Sequence, residues 1–318
     1  MTVRRGDGPD RGPWTRGRWL ALLATVCVAT AAPAATKSHR ITTHDPQLKS
    51  RAVVVLDARS DEVLYRRGDE SPRPIASITK LMTALVVRAA NQPLDEVLVI
   101  GPEDAQATKK STSRLPVGTK LTRAEFLQLA LMASDNRAAH VLARHYPGGR
   151  AAFVRAMGEE ARRLGMTHTR FVEPTGLSES NVATTTDLTR LVRAAAHDPL
   201  IRRMSTAPEL TVRVKGRPTE FRNTDHLVRD PSWDISLSKT GYIEEAGRCL
   251  VLQATLDGRP VVMVLLDSPG RESRFADARR VRRWLGATPT LQSVAVRSSV
   301  PDATLGEAAD DTTSVDVE

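Results

Sequence analysis

The sequence predicts an α+β fold in which helices pack on an antiparallel sheet and a mainly helical region is inserted between strands. Strand-forming segments occur early, at AVVVLDARSDEVLYRRG, and return after about residue 234 at ISLSKTGY, RCLVLQATL and RPVVMVLLDS. Between them, residues 91–200 contain long segments rich in Ala, Leu and Arg, which are typical of helices. A final helix is predicted over residues 272–285, so the order is strands, helices, strands and a helix.

Local signals support several of these elements. The first strand-forming segment contains a short polar turn at residues 58–61, which predicts a hairpin. The last two strands join through Asp257-Gly258, a strong hairpin turn. Thr122 and Glu125 form a capping box that predicts the start of a helix in the central region.

The two ends of the chain differ from its body. Five arginines precede an apolar run, and Ala34 completes an Ala-x-Ala cleavage site, so residues 1–34 are expected to be a secretory signal peptide. An uncleaved membrane anchor is the alternative. Residues 35–50 are polar and predict a linker before a body at residues 51–286. Residues 287–318 end with six acidic side chains within the last 18 positions and predict a disordered acidic tail.

The composition is that of a soluble globular protein, with 41% hydrophobic and 26% charged residues in a chain of 318. The formal net charge is +9. A basic protein outside the cytoplasm is expected to meet anionic cell-wall polymers, and nucleic acid is not expected as a partner. A basic surface that serves only solubility explains the charge equally well.

Metal, cofactor and cysteine chemistry have little support. Seven histidines include no His-Glu-x-x-His pattern, and His140 and His145 are expected to lie on a helix surface. There is no glycine-rich phosphate loop, so no cofactor is expected. Removal of the leader leaves Cys249 as the single cysteine, which excludes an intramolecular disulfide and predicts a small buried residue.

The segment SITKLMTALVVRAA predicts a helix that is apolar on nearly all sides, yet it places Lys80 one turn after Ser77. Residues three apart on a helix lie on the same side, so the ammonium can reach the serine hydroxyl. A buried ammonium needs a polar cleft or a lowered pKa, and both suit a general base. The pair is weak by itself, because Ser236 and Lys239 repeat the spacing and Ser77 could simply cap the helix.

Two triplets downstream strengthen the signal. Ser-Asp-Asn at 134–136 interrupts a helical stretch just after LALMA, and Lys-Thr-Gly at 239–241 lies on a predicted strand. Either triplet alone could be a helix break or a strand end. In this order with Ser77 and Lys80, the three motifs indicate a serine acyl-transfer site.

In these motifs the chain resembles the low-molecular-mass penicillin-binding proteins, which are serine D-alanyl-D-alanine peptidases. The resemblance extends over about residues 50–285, and RFVEPTGL, TTTDLTRLV and WDISLSKTGYIEEAGRCLV are similar to the D-alanyl-D-alanine endopeptidase branch. It implies a β-lactamase/D,D-peptidase-like fold, with a five-stranded antiparallel sheet flanked by helices and a helical subdomain at about 91–200. It also implies a D,D-peptidase catalytic domain at 51–286, peptidoglycan peptide crosslinks as substrate, and β-lactam antibiotics as covalent inhibitors.

The resemblance further implies a role for each motif residue. Ser77 attacks the carbonyl of a D-alanyl bond to give an acyl-enzyme, with Lys80 as general base and Ser134 passing a proton to the leaving amine. Asp135 braces its loop. Substrate contacts are expected from the side chains or backbone of Asn136, Lys239, Thr240, Gly241 and Tyr242.

One departure from the family pattern bears on the substrate. Relatives that trim a terminal D-alanine show Asn-Arg-Asn upstream of the Lys-Thr-Gly strand, and the arginine holds the terminal carboxylate. Here Asn-Thr-Asp at 223–225 places Thr224 at that position. Loss of the guanidinium weakens recognition of a chain end and favours an internal crosslink. Arg222 or Arg248 could compensate, which keeps D-alanyl-D-alanine carboxypeptidase activity open.

Two further functions share these motifs. A class A-like β-lactamase needs a glutamate that drives deacylation, but Glu173 lies in a different setting, EPTGL. A catalytically silent peptidoglycan-binding module would keep the fold without turnover. Residues 287–318 carry no β-rich second domain or amphipathic anchor, so we expect a periplasmic enzyme without a stable membrane anchor after signal cleavage.

Overall fold

The computed structural model describes residues 45–109 and 111–287, which belong to one compact unit of the chain. The predicted signal peptide, most of the predicted linker and residues 288–318 of the predicted tail lie outside the described residues. At the start of the described residues, the chain already packs against the body of the protein. The Ser50 hydroxyl and backbone N–H each donate to the buried Asp277 carboxylate at 2.7 Å, which ties this segment to the last helix.

A five-stranded antiparallel sheet forms the centre, in the order β2-β1-β11-β10-β9. Its strands are β1 (Ala52–Asp57), β2 (Val63–Arg67), β9 (Asp234–Ile243), β10 (Gly247–Leu256) and β11 (Arg259–Ser268). Both predicted hairpins are confirmed, since β1 pairs with β2 and β10 pairs with β11 around Asp257-Gly258. The strand β9, which carries residues 239–241, lies at an edge of the sheet.

Helices follow the predicted order along the chain. Within the described residues they are α1 (Thr79–Ala89), α2 (Pro102–Ala107), α3 (Arg123–Met132), α4 (Asn136–Arg144), α5 (Gly149–Arg163), α6 (Thr185–His197), α7 (Pro199–Thr206) and α8 (Ser273–Ala287). The capping box at Thr122 and Glu125 is confirmed at the start of α3. None of the helices between residues 45 and 287 combines the length and apolarity that a membrane span requires.

The sheet is apolar on both faces, and each face has its own core. In β1, Val54 and Leu56 belong to the larger core with α1 and α3 to α7, whereas Val53 and Val55 belong to a second core with α8. Alternate side chains of a strand point to opposite faces, so a strand covered on both sides needs a continuous apolar run. The segment AVVVL therefore marks a central strand.

Sequence reasoning missed one element, a separate two-stranded hairpin formed by β7 (Glu209–Val214) and β8 (Arg217–Arg222). The signal was present, because polar and apolar residues alternate in ELTVRV. Lys215 and Gly216, both with positive φ of 48° and 80°, make the turn between the strands. The other short pairings in the described residues join β3 (Arg73–Pro74) to β6 (Val182–Ala183), and β4 (Val97–Val99) to β5 (Lys120–Thr122).

Candidate active site

The segment that carries Ser77 is a single 3₁₀ turn, Ala76–Ile78, which leads directly into α1. Lys80 therefore lies in the first turn of α1 and is completely buried. Its Nζ lies 2.7 Å from Ser77 Oγ, as the spacing of the two residues predicted. No side-chain cap forms at the start of either helix, so the hydroxyl of Ser77 does not serve as a helix cap.

Lys80 Nζ has two further neighbours, Asn136 Oδ1 and the Thr175 carbonyl oxygen, each at 2.6 Å. These two oxygens only accept hydrogen bonds, whereas the Ser77 hydroxyl can also donate one. A neutral amine has two N–H groups and one lone pair. It can donate to the two oxygens and accept a hydrogen bond from Ser77, which is the arrangement of a base facing its nucleophile.

The electrostatics favour this neutral form. Burial lowers the pKa of Lys80 from 10.5 to about 7, against the opposing charges of Glu173 and Asp135. No carboxylate of the described residues forms an ion pair with Lys80, so desolvation dominates. At neutral pH a large fraction of Lys80 is therefore free to accept a proton.

The Ser-Asp-Asn triplet occupies the tight connection between α3 and α4. Ser134 has a positive φ of 58°, a backbone conformation that residues other than glycine seldom adopt. Asp135 caps α4 by accepting the N–H of Ala138 at 3.0 Å, and it also accepts the hydroxyl of Ser113 at 2.7 Å. The predicted bracing by Asp135 is thus seen directly, and it orients Asn136 towards Lys80.

Lys239 approaches from β9 on the other side of the cleft and is 1% exposed. Its Nζ donates to Ser134 Oγ at 2.9 Å and to the Thr240 carbonyl at 2.8 Å. Burial and the nearby charge of Lys80 lower the pKa of Lys239 well below its ordinary value. The cleft therefore disfavours two ammonium ions at the same time.

Two glycines allow the nucleophile segment to sit between β9 and the loop after Glu173. Gly176 has a φ of 83°, and a Cβ there would clash with the Ala76 carbonyl. A Cβ on Gly241 would lie 3.1 Å from the backbone nitrogen of Ser77. A side chain at Gly241 would therefore press on residues 75–77, which favours glycine at this position.

The loop that presents the Thr175 carbonyl is built around Glu173. Its carboxylate accepts the backbone N–H groups of Thr175 and Gly176 at 2.7 and 2.6 Å, and the side-chain amide of Asn181 at 2.9 Å. Both carboxylate oxygens are therefore engaged by protein donors. The sequence analysis did not identify Thr175, because it contributes a backbone carbonyl, which any residue type has. It did not identify Asn181 either, and only the segment EPTGL around Glu173 was singled out.

The position where a carboxypeptidase is expected to carry arginine holds a pair of hydroxyls. Thr224 Oγ1 lies 2.6 Å from Thr240 Oγ1, and the Thr224 backbone N–H donates to the Met132 carbonyl at 2.9 Å. Neither arginine proposed as a substitute fills this position. Arg222 is paired with Glu220, and the guanidinium of Arg248 lies 3.7 Å above the ring of Tyr242.

The structure thus brings the predicted residues of all three motifs into one cleft. Ser77, Lys80 and Asn136 are linked on one side, and Ser134 is linked to Lys239 on the other. Thr240 and Gly241 face the same region from β9, whereas the Tyr242 ring is 52% exposed and stacks on Arg248.

Two predictions about other titratable residues have different outcomes. His140 was expected on a helix surface, which is wrong, because it is 5% exposed and its Nδ1 lies 2.7 Å from the buried Asp104 carboxylate. The Asp104 carboxylate, 36 residues earlier in the chain, makes this burial possible, and its position next to His140 was not predicted. Cys249 is buried as expected, and burial raises the pKa of its thiol to about 11. The described residues contain no cluster of side chains suited to hold a metal ion.

Comparison with known proteins supports this geometry. Residues 39–270 match the peptidase S11 family, described as D-alanyl-D-alanine carboxypeptidase. The chain is 46% identical to a D-alanyl-D-alanine endopeptidase of Pseudomonas aeruginosa, over 85% of this chain and 89% of that protein. It is 44% identical to a D-alanyl-D-alanine endopeptidase of Escherichia coli, over 84% and 86%. Among solved structures, a D-alanyl-D-alanine carboxypeptidase of Mycobacterium tuberculosis matches with a TM-score of 0.70 at 25% identity, over 80% and 96%.

Proposed function

This chain belongs to the peptidase S11 family and is a serine hydrolase, and from that premise we propose that Ser77 cleaves D-alanyl bonds in peptidoglycan crosslinks through an acyl-enzyme. The family and the β-lactamase/D,D-peptidase-like fold that the motifs predicted are confirmed. Members of this family act on peptidoglycan peptides and bind β-lactams. The observation that carries the proposal is the 2.7 Å contact between Ser77 Oγ and a fully buried Lys80.

In the first step Ser77 Oγ attacks the carbonyl carbon of D-alanine and transfers its proton to the neutral Lys80 amine. Asn136 Oδ1 and the Thr175 carbonyl hold that amine with its lone pair towards the serine. The Nδ2 of Asn136 makes no hydrogen bond to the described residues and is available to the substrate's carbonyl oxygen. The backbone N–H groups of Ser77 and Tyr242 would stabilise the oxyanion.

In the second step the C–N bond breaks, and the leaving amine takes a proton from Ser134 Oγ. Lys239 Nζ, 2.9 Å from that oxygen, replaces the proton. Water then attacks the ester and gives a proton through Ser134 Oγ to Lys239 Nζ, which restores Lys239. Lys80 returns the proton that it took in the first step to Ser77 Oγ as the acyl group leaves as a carboxylic acid. The transfers between protein groups use two contacts that the cleft already contains, Lys80–Ser77 and Lys239–Ser134.

The preference for an internal crosslink is supported by the hydroxyl pair at Thr224 and Thr240. Both hydroxyls are satisfied by neighbouring oxygens, and no guanidinium reaches them in the described structure. A terminal carboxylate entering here would lose hydration without gaining a bidentate partner, whereas a peptide amide carries no charge. The two relatives above 40% identity are also endopeptidases by name.

Substitution of Thr224 tests that preference. Thr224→Arg should raise release of D-alanine from monomeric pentapeptides relative to dimer cleavage by at least about tenfold, the scale of one charged hydrogen-bonded pair. Thr224→Lys is the matched control, because it adds charge without the bidentate geometry. If the wild type already releases D-alanine from monomers without cleaving dimers, the protein is a carboxypeptidase and the preference is wrong.

The peptidase itself is tested with purified crosslinked muropeptides and a fluorescent penicillin. Wild type should convert dimers to monomers and retain the penicillin as a long-lived adduct on Ser77, and Ser77→Ala should do neither. Rapid turnover of the penicillin would instead identify a β-lactamase. Binding to sacculi with neither labelling nor cleavage would identify a silent wall-binding module.

We also propose that the enzyme works in the periplasm after export, because residues 1–34 have the pattern of a secretory leader and the named endopeptidase relatives are bacterial. N-terminal sequencing of the exported protein should give Ala35 as the first residue. An intact leader in membrane fractions would show that it is retained as an anchor.

A further inference from the structure

A shallow groove lies where the β7–β8 hairpin meets the loop that leads into β5. Its cavity of about 650 Å³ is lined by Arg114, Pro218, Thr219, Glu220 and Arg222. The mechanism above uses none of these residues. The groove brings together residues that are about 100 positions apart in the chain, so it is a product of the tertiary fold.

Arg114 is held in this groove before any ligand arrives. Its guanidinium carbon lies 4.1 Å from the centre of the Phe221 ring, and Phe221 itself is buried at 3% exposure. Arg114 makes no hydrogen bond or ion pair with any other described residue. A guanidinium stacked on an aromatic face keeps its N–H edge free, which suits bidentate binding of a carboxylate.

The charges in the groove leave this arginine uncompensated. The single carboxylate of the lining, Glu220, accepts a hydrogen bond from Arg222 Nε at 2.6 Å. That pair is exposed and neutral as a unit, so its field largely cancels over a few ångströms. Arg114 therefore supplies the net positive charge of the groove.

The groove adjoins the active site through both of its walls. On one side, Ser113 precedes Arg114 and donates to Asp135, the central residue of the second motif, at 2.7 Å. On the other side, β8 leads within two residues to Thr224, which touches Thr240 of the third motif at 2.6 Å. Both contacts link segments that line the groove to residues of the active site.

We propose that Arg114 binds a carboxylate on the stem peptide of the crosslinked substrate and so selects stems that carry free rather than amidated carboxyl groups. This inference rests on the proposed function, since it names a recognition element for the same substrate. It assigns Arg114 to substrate binding, with Phe221 as the residue that positions it, and leaves the chemistry at Ser77 unchanged.

The test compares two crosslinked stem-peptide dimers that lack glycan. One has free stem carboxylates, and in the other these carboxylates are amidated. Wild type should show a KM about tenfold lower for the free dimer, with similar kcat, because hydrogen bonds to charged groups have this magnitude. Arg114→Gln should lose this difference by raising KM for the free dimer alone. Arg114→Lys should retain part of it, because the charge remains but the fork is lost.

The matched control is Arg213→Gln. Arg213 is exposed on the same hairpin, does not line the groove, and donates only to the Gly216 carbonyl at 3.2 Å. It should behave as wild type with both dimers and in its rate of acylation by penicillin. Melting temperatures check whether loss of the Phe221 contact loosens the hairpin, which would raise KM for both dimers.

Equal KM values for the two dimers in wild type, or an equal loss on both dimers in Arg114→Gln, would overturn the assignment while the peptidase function stands. The same loss of discrimination in Arg213→Gln would also overturn it, since the effect would then be general surface charge. Failure of wild type to cleave either dimer would overturn the proposed function itself. Because the dimers lack glycan, a retained difference assigns the carboxylate to the stem peptide.

Discussion

Two buried polar clusters share helix α4, and they use burial in opposite ways. At the start of the helix, Asn136 contacts Lys80, whose ammonium has three oxygen neighbours but no carboxylate among them. One turn further, His140 and Arg144 contact Asp104, a carboxylate with 0% exposure. The first cluster buries an amine without a contacting countercharge, and the second buries an anion with one.

The second cluster is fully paired. Asp104 accepts Arg144 Nη2 at 2.8 Å, His140 Nδ1 lies at 2.7 Å, and the Gly101 N–H donates at 2.7 Å. Burial by itself would raise the pKa of Asp104, but the hydrogen bonds from His140 and Arg144 outweigh it and hold the pKa below its usual value. The pairing anchors α2 to α4 and stabilises the folded state.

The difference between the clusters shows how one helix can serve both structure and reactivity. A buried charged group that contacts its countercharge keeps its charge over a wider pH range. A buried charge without one gives up its proton near neutral pH, as the pKa of about 7 for Lys80 indicates. Stability should therefore depend on Asp104, and catalysis on Lys80.

The largest expected effect is on activity, from Lys80→Met. Loss of the base should lower the rate of acylation by penicillin by about 10²–10⁴-fold, the usual contribution of general base catalysis. Stability should change by less than about 1 kcal/mol or rise, because methionine fills the volume without a buried amine. Stopped-flow labelling and urea unfolding measure the two effects. Acylation within a few-fold of wild type would exclude Lys80 as the base.

The complementary change is Asp104→Asn, which should cost about 1.5–3 kcal/mol in unfolding free energy, because it removes the buried charged partner of Arg144 and His140 while Arg144 keeps Glu103 nearby. Acylation at low temperature should remain close to wild type. The folded pKa of Asp104 lies below its unfolded value, so the loss is largest at neutral pH and shrinks as the pH falls through the carboxylate range.

The control for that prediction is Asp69→Asn, since the Asp69 carboxylate is exposed where it pairs with Arg73. An exposed pair should contribute less than about 1 kcal/mol. Equal losses in the two variants would show that the buried cluster has no special structural role.

The pH profile of acylation should follow the titration of Lys80. When the pH is below its pKa of about 7, the amine is protonated and has no lone pair. The rate should therefore fall about tenfold for each unit by which the pH drops below this pKa, and it should level off at higher pH. Second-order rate constants for penicillin labelling between pH 5 and 9 measure this limb. A flat profile would mean that the protonation state of Lys80 does not limit acylation.

The smallest expected effect is from His140→Gln. Its amide can still donate to Asp104, and Arg144 remains as the countercharge, so we expect a loss of only about 1 kcal/mol. Thermal and urea unfolding measure it at neutral pH. A loss as large as that of Asp104→Asn would mean that His140, rather than Arg144, provides the main compensation.

Much of the fold was readable from the sequence because its signals are local. The capping box at Thr122, the turn at Asp257-Gly258 and the continuous apolar run of β1 each act within a few residues. The burial of His140 was missed because it depends on a distant partner, whereas the missed hairpin had a local signal. His140 looked like a surface residue because Asp104, which compensates its burial, lies in another helix, and the β7–β8 hairpin was overlooked despite its alternating pattern.

By itself, the sequence identified the side chains that we propose to carry the chemistry, since Ser77, Lys80 and the two triplets occur in a fixed order with a recognisable local context. Only the tertiary structure decided how Lys80 can act. Its two oxygen acceptors come from 56 and 95 residues away, and its pKa of about 7 follows from complete burial. Burial and long-range contacts exist only after folding, because they depend on which surfaces meet and not on the order of residues along the chain.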